Sequence, residues 1–442
     1  MEELFAGHVA VMLDRYDRAL EHHKFDAAVV YSGSPHMQFL DDMAYPFKAN
    51  PHFKCWAPLT QVPDSFIIYR PGEKPVLAYF QPDDYWHKPP DDPAGFWTAQ
   101  FDIRILTEKD NARTLMPVGH KAFLGEWQER FSKWGKFSAN PQGFIHELHY
   151  QRAWKTPYEL ACMAEASALG ALGHRAAYLA FCEDTSEYDI HLAYCAACEH
   201  TDDQLPYDNI VALNQHAAIL HYTYRDTAVI PAPQRKSFLI DAGASYNGYA
   251  SDITRTYSFK DDAFAELIDQ MDELQQIICD QVIPGASYPE LHLDTHRAIG
   301  GLLHAAGVIT MHGDEAAEAG LTSTFFPHGL GHYIGLQVHD VGGFMNDAGG
   351  ERISPPQGHE FLRLTRTVES DQVMTIEPGI YFIESLLNKL KDSPLKSAVN
   401  WTQVEKFIPY GGIRIEDNVV ATDNGPINLT RDAFDKLGQS HS

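Results

Sequence analysis

The stretch that most constrains this chain runs from Asp241 to Thr256, DAGASYNGYASDITRT. Before it, Ser237-Phe-Leu-Ile240 is a short apolar run that reads as a buried strand. Asn247-Gly248 is a strong hairpin signal, because a type I′ turn needs two successive residues that tolerate positive φ. With that pair as the tight turn, Asp241 lies opposite Thr254, and Gly243 opposite Asp252. Asp241 and Asp252 then share one face as diagonal neighbours, roughly 7–8 Å apart at the backbone. Two carboxylates held so close repel unless they are protonated or bridged by cations. Two solvated aspartates beside a loop remain the alternative until the rest of the chain is read.

Length and composition narrow the context. At 442 residues, 44% hydrophobic and 12% aromatic, the chain suits two globular domains with well-filled cores. Its formal charge of −26 comes from 34 basic against 60 acidic residues. No basic run interrupts that excess, which argues against nucleic-acid and anionic-membrane partners. Six cysteines are scattered, and Cys195-Ala-Ala-Cys198 falls inside an apolar helical pattern, so helix packing explains it better than a redox or zinc pair. The amino end has neither a basic region nor an apolar signal core, and no run is long enough to span a membrane. The expectation is a soluble, cytoplasmic protein.

In chain order, a helical pattern near 3–22 leads to strands at Phe25–Tyr31, Ser65–Arg70, Pro75–Phe80, Phe101–Leu106 and Ala122–Gly125, a small α/β unit. Two aromatic, acidic loops, Asp41 through Trp56 and Asp83 through Trp97, read either as self-packed surface loops or as covers over a binding site. The boundary falls near 155, giving domains 1–155 and 156–442. Thr156-Pro-Tyr-Glu159 is a capping box that opens a helix reaching about Phe181; Ser186 opens another, and Ser287-Tyr-Pro-Glu290 a further one after the helix at about 263–282. Strands return at Ile210–Ala212, Ala217–Tyr222, Phe238–Asp241, Tyr249–Tyr257, Val373–Ile376, Gly379–Phe382 and Ile413–Val420. Mostly hairpin-connected strands alternating with helices indicate an α+β architecture.

Three later segments supply what the aspartate pair needs: Phe326 through Gly335 with His328 and His332, Thr375 through Tyr381 with Glu377, and Gly411 through Asp417 with Arg414 and Glu416. Each places an ionisable residue at or within an apolar strand, where charge is costly unless compensated. Arg414 and Glu416, two apart in an expected strand, point the same way. A lone histidine or strand glutamate means little, but Asp, Asp, His, Glu, Glu in this order is specific. Four carboxylates and one imidazole suit manganese or cobalt better than structural zinc, and two divalent cations balance four negative charges.

These motifs resemble those of the pita-bread metallopeptidases, which include methionine aminopeptidase, aminopeptidase P and prolidase. The Phe325–Gly343 and Glu377–Phe382 stretches and the amino-terminal Phe39–Phe47 are similar to bacterial Xaa-Pro dipeptidases and to the related organophosphorus acid anhydrolases. The resemblance implies a pita-bread catalytic domain preceded by a smaller α/β domain. It implies that Asp241, Asp252, His332, Glu377 and Glu416 hold two metals, with Asp252 and Glu416 bridging. His328 then stands behind the ligands, while His221 and His339 face the substrate. Arg366 fits the position for the substrate carboxylate, and the Asp42 loop reaches a partner's active site in a homodimer.

The expected reaction is attack of a metal-bridging hydroxide on the scissile carbonyl of an Xaa-Pro dipeptide. Glu377 would shuttle the proton, His221 and His339 would stabilise the oxyanion, and Arg414 would orient Glu416. Phosphotriester and fluoridate hydrolysis is the expected side activity, since the same nucleophile serves phosphorus. The alternatives are organophosphorus hydrolysis as the main activity, or a non-catalytic binding protein of the same fold. Retention of all five ligand positions argues against the latter and against metal-free creatinase. Methionine aminopeptidase lacks the 155-residue amino-terminal domain.

Overall fold

The first helical pattern folds as α1 (Glu2–His23) in the computed structural model, which describes residues 1–438. Its buried face repeats at Phe5, Val9, Met12, Tyr16 and Leu20, the three-and-four spacing of one apolar stripe. Lys24, in the left-handed conformation, ends it. Then follow β1 (Ala27–Tyr31), α2 (Pro51–Trp56), β2 (Phe66–Tyr69), β3 (Val76–Phe80), β4 (Asp102–Leu106), β5 (His120–Leu124), β6 (Lys136–Ala139) and α3 (Gln142–Gln151). The six strands form one sheet in the order β4-β3-β2-β1-β5-β6. β1/β2 and β2/β3 are antiparallel and the other pairs parallel. β1, flanked on both sides, is buried at every residue. Val29, Tyr31, Phe66, Ile68 and Phe123 build one core with Phe131.

Sequence reasoning missed α2, α3 and β6. α2 lies inside the first aromatic loop, where Asn50 accepts from the His52 N–H and Pro51 takes the first helical position. Phe53, Cys55 and Trp56 are core residues, so that half of the loop packs inward. Just before α2, Phe39, Leu40, Met43 and Tyr45 are exposed, and in the second loop Tyr85 and Trp86 are exposed as well.

The chain divides into two compact units, one of Met1–Cys162 with 247–249 and 346–351, the other of the remaining residues. The second is built on α4 (Pro157–Cys182), α5 (Glu187–Cys198), β7 (Ile210–Leu213), β8 (Ser237–Asp241), β9 (Ser245–Tyr246), β10 (Tyr249–Ala250), β11 (Thr254–Ser258), α6 (Ala263–Cys279), α7 (Tyr288–Ala305) and α8 (Gly313–Glu318). After a long irregular stretch come β12 (Val373–Ile376), β13 (Gly379–Tyr381), α9 (Glu384–Lys391), α10 (Trp401–Phe407), β14 (Gly412–Arg414), β15 (Asp417–Val420), β16 (Ile427–Asn428) and α11 (Leu429–Lys436). The capping box forms as expected. The Glu159 N–H donates to Thr156 Oγ1 at 3.4 Å, and the Thr156 N–H donates to Glu159 Oε2 at 2.8 Å.

Antiparallel β7, β8 and β11 make one sheet, with Thr254 opposite Asp241 as the hairpin reading requires. Asn247 and Gly248 have φ of 51° and 88°, the paired positive values a type I′ turn demands. Three expected strands are corrected. Ala217–Tyr222 is a short 3₁₀ turn followed by irregular chain. The buried Glu187 carboxylate organises that segment, accepting from the N–H groups of Leu213 and Asp226, from His216 Nδ1 and from Tyr222 Oη. Tyr249–Tyr257 is interrupted at 251–253. Ile413–Val420 is two strands, because the chain changes partners: β14 pairs with β13, β15 with β12, and Glu416 between them bridges Thr254.

Candidate active site

All four candidate carboxylates stand where a strand ends or changes partner. Asp241 closes β8, and Asp252 lies between β10 and β11. Glu377 and Glu416 occupy the breaks between β12 and β13 and between β14 and β15. Pro378 has no N–H for a continuous ladder, and the Glu377 N–H instead donates to Leu330 O at 2.8 Å. At such breaks a side chain can turn out of the pleat into a shared space. His332 joins them from the irregular stretch, its N–H donating to Thr375 Oγ1 at 3.1 Å.

The five side chains converge. His332 Nε2 lies 3.4 Å from Asp252 Oδ2 and 3.5 Å from Glu377 Oε1. Ligand atoms of Asp252, His332 and Glu416 all fall within 4.8 Å of one another. His332 Nδ1 donates to Tyr333 O at 3.0 Å, which turns Nε2 toward the carboxylates; burial opposes the charged ring, but Asp252 and Glu377 outweigh it and raise the imidazole above its ordinary value. Tyr207 Oη reaches Asp241 Oδ1 at 2.8 Å and Asp252 Oδ1 at 2.5 Å. One hydroxyl proton cannot serve two carboxylates fully. Arg414 is the sole cation hydrogen-bonded to the five among the described residues, donating to Asp241 Oδ2 at 2.7 Å.

Charge is therefore under-compensated. Burial, followed by the neighbouring carboxylates, holds Glu416 well above the usual range. Burial, with Asp252 adding to it, pushes Glu377 up to about 7. Burial raises Asp241 despite Arg414, whereas His332 offsets burial at Asp252 and lowers it. A buried set with three carboxyls displaced upward is a set that lacks positive charge. Four carboxylates and one imidazole whose Nε2 faces them fit a pair of hard or borderline divalent ions.

A cavity of about 690 Å³ opens over this cluster, and His221, His339, Leu220, Phe361 and Arg363 join its wall. His221 and His339 are exposed there, and the His339 ring stands 4.4 Å from that of His332. His328 also lines the cavity, but both its ring nitrogens are engaged. Nδ1 donates to Gly329 O, and Nε2 accepts from Tyr381 Oη, each at 2.8 Å. Burial, then Arg414, lowers His328 to about 3, so it buttresses Tyr381 as a neutral ring.

Arg414 and Arg366 have partners that the sequence did not indicate. Among the described residues, no hydrogen bond joins the Arg414 guanidinium to the Glu416 carboxylate, although the two charges interact. Arg414 holds Asp241 and Tyr381 and is linked by hydrogen bonds to Glu416 only through Thr254, whose hydroxyl donates to Glu416 Oε2 at 2.7 Å. Arg366 does not line the cavity; it is buried, paired with Glu369 at 3.0 Å, and lies near the Tyr333 ring. Arg363, three residues earlier and exposed, is the arginine on the wall. Strand alternation could not choose between the two arginines, because the segment has no strand. Asp42 is exposed in the amino-terminal unit, its N–H held by Asp41 Oδ1 at 2.7 Å, and lines a separate cavity there with Met37 and Phe47. Tyr207 carried no signal in the sequence beyond following a proline.

Residues 3–150 match the Xaa-Pro dipeptidase, N-terminal domain, and residues 161–423 match metallopeptidase family M24. The chain is 49% identical over 434 residues to an Xaa-Pro dipeptidase of Stenotrophomonas maltophilia, covering 98% of this chain and 97% of the relative. It is 46% identical to one from Shewanella loihica over 97% of this chain and 98% of that one. Among solved structures, Pseudomonas aeruginosa aminopeptidase PepP shares the fold at a TM-score of 0.73 and 23% identity, covering 97% and 95% of the two chains. Escherichia coli aminopeptidase P with the inhibitor Pro-Leu gives 0.72 at 22% identity, covering 98% and 95%. With its pita-bread unit preceded by the amino-terminal domain of the Xaa-Pro dipeptidases, the chain belongs to metallopeptidase family M24.

Proposed function

We propose that this enzyme hydrolyses Xaa-Pro dipeptides with a pair of divalent ions, manganese first. The observation that carries the proposal is the under-compensated cluster of four carboxylates and His332 at the floor of one cavity. Asp241, Asp252, His332, Glu377 and Glu416 would hold the ions. When bound, the pair supplies a water ionised near neutral pH and a Lewis acid for the scissile carbonyl.

The chain's own residues do the remainder. Glu377, displaced upward by burial, is suited to accept the proton of the attacking water and pass it to the departing prolyl nitrogen. His221 and His339 donate to the developing oxyanion from the exposed wall. Arg414 and Tyr381 fix Asp241 and His328, so the ligand geometry is set before substrate arrives. Arg363 takes the product-side carboxylate, a role the sequence had offered to Arg366.

The same centre supports hydrolysis of organophosphorus triesters and fluoridates as a side activity. A homodimer, with the Asp41–Asp42 loop of the partner subunit closing the site against longer peptides, would account for dipeptide length. Asp42 would hold the free amine. No described helix is long and apolar enough to cross a membrane, and none of the six cysteines forms a disulfide, in keeping with a cytoplasmic enzyme. The test is a panel of Xaa-Pro and Xaa-Ala dipeptides and Xaa-Pro tripeptides with purified, manganese-loaded protein. Selective cleavage of Xaa-Pro dipeptides is expected, and equal rates on Xaa-Ala or no hydrolysis would overturn the assignment. Sedimentation decides the dimer: a monomer that still refuses tripeptides would rule out the partner's loop.

A further inference from the structure

Helix α7 carries His292 and His296 one turn apart, and the segment after Pro356 brings His359 against both. The three ring centroids lie 4.6–4.7 Å from one another. One nitrogen of each lies within 4.8 Å of the other two. His292 and His296 are 1% and 2% exposed. His296 Nδ1 pairs with Thr322 Oγ1 at 2.9 Å, and its Nε2 has no protein partner among the described residues. His292 Nε2 faces His359 Nδ1 at 2.9 Å, while its own Nδ1 is likewise unpartnered. A merely structural trio would share its protons around the ring, yet here two deeply buried nitrogens go unserved.

We infer that His292, His296 and His359 form a second metal site, for a divalent transition metal and zinc first, distinct from the carboxylate centre. Zinc–nitrogen bonds of about 2.0–2.1 Å on a tetrahedron set nitrogens roughly 3.3–3.4 Å apart, a spacing that small ring movements reach from here. Burial lowers His292 to about 2 and His296 to about 3 and also lowers His359, keeping all three neutral, the form that ligates. Thr322 fixes the His296 tautomer from behind, as an outer partner of a metal ligand does. An all-imidazole set selects zinc, copper or nickel, whereas the oxygen-rich centre selects manganese. The two sites therefore discriminate between metals by donor type.

The site's position gives it a consequence. His359 immediately precedes Glu360, Phe361, Leu362 and Arg363, which line the cavity. The Leu362 N–H donates to His359 O at 3.0 Å. Gly329 packs so closely under this segment that an added Cβ would come within 2.8 Å of Leu362 Cα. An ion on the three histidines ties that wall, Arg363 included, to α7.

The test dialyses manganese-loaded full-length protein against micromolar zinc and counts both metals per chain. About one zinc is expected in addition to the manganese already bound, with X-ray absorption at the zinc edge reporting imidazole nitrogen neighbours. His292→Ala with His359→Ala should lose that zinc and keep the manganese. His359→Asn alone, on the half-buried segment, should weaken it about tenfold or more and decides the matter if the double variant fails to fold. Equal zinc uptake in wild type and variants, or zinc that enters only as manganese leaves, would overturn the site.

Discussion

Glu416 and Asp417 are adjacent, fully buried and oppositely displaced. Asp417 accepts from Arg255 at 2.8 Å, from Arg431 Nε at 2.7 Å and from Asn428 at 2.8 Å. Burial alone would raise it, but the two guanidiniums hold it well below the ordinary carboxylate range. Glu416 has Asp252, Glu377 and Asp241 for company, and burial with those neighbours drives it the other way. The backbone explains how one residue step does this: Asp417 begins β15, while Glu416 stands at the break and bridges Thr254. The chain supplies Asp417 with its cations. For Glu416 they must come from solution.

The largest effect that could break this comparison is on activity. Chelation, or Asp252→Asn, should cut dipeptide hydrolysis by about three orders of magnitude or more while the fold persists. Manganese should restore the chelated wild type in a rate assay, and undiminished turnover after chelation would contradict the proposal. Next comes Asp417→Ala, which strands Arg255 in the core and should cost about 3–5 kcal/mol in denaturant unfolding. Glu416→Gln should leave metal-free stability little changed, since it replaces a protonated carboxyl by a neutral amide of the same shape. Equal destabilisation by the two would erase the distinction.

A smaller effect separates the arginines. Arg363→Leu should lower kcat/KM for dipeptides by about 2–4 kcal/mol and that for a neutral phosphotriester far less. Arg366→Leu should lower thermal stability and reduce both substrates alike. The smallest expected effect is a pH trend. Glu377 is raised from 4.5 to about 7, so its contribution to stability is full below its unfolded value and lost as pH rises through about 7. Metal-free wild type should therefore lose Tm relative to metal-free Glu377→Gln across that window, the buried histidines, which act with the opposite sign, being common to both. Asp417 acts with the opposite sign: its contribution is lost only as pH falls through its depressed value. A difference in Tm between metal-free wild type and Glu377→Gln that stays constant between about pH 4.5 and 7 would contradict the assignment.

Much of the candidate site was legible because its residues violate local rules. Asp241, Glu377 and Glu416 put charge beside apolar strands, and Asn247-Gly248 fixed the register that pairs Asp241 with Thr254. What stayed hidden depends on the third dimension. Ala217–Tyr222 looks like a strand by its apolar content, but Glu187, some thirty residues earlier, collects its polar groups. Arg363 and Arg366 sit in irregular chain, where no period says which faces the cavity. Ile413–Val420 reads as one strand because a change of sheet leaves no mark in composition.

The central claim is that the cluster around Glu416 carries protons in place of missing cations. Calorimetric titration of chelated protein with manganese, at about pH 6 in buffers of differing ionisation heat, counts ions and released protons together. The account predicts two ions per chain with net proton release, in wild type and not in Glu416→Gln. Fewer than two ions, or binding without proton release, would contradict it.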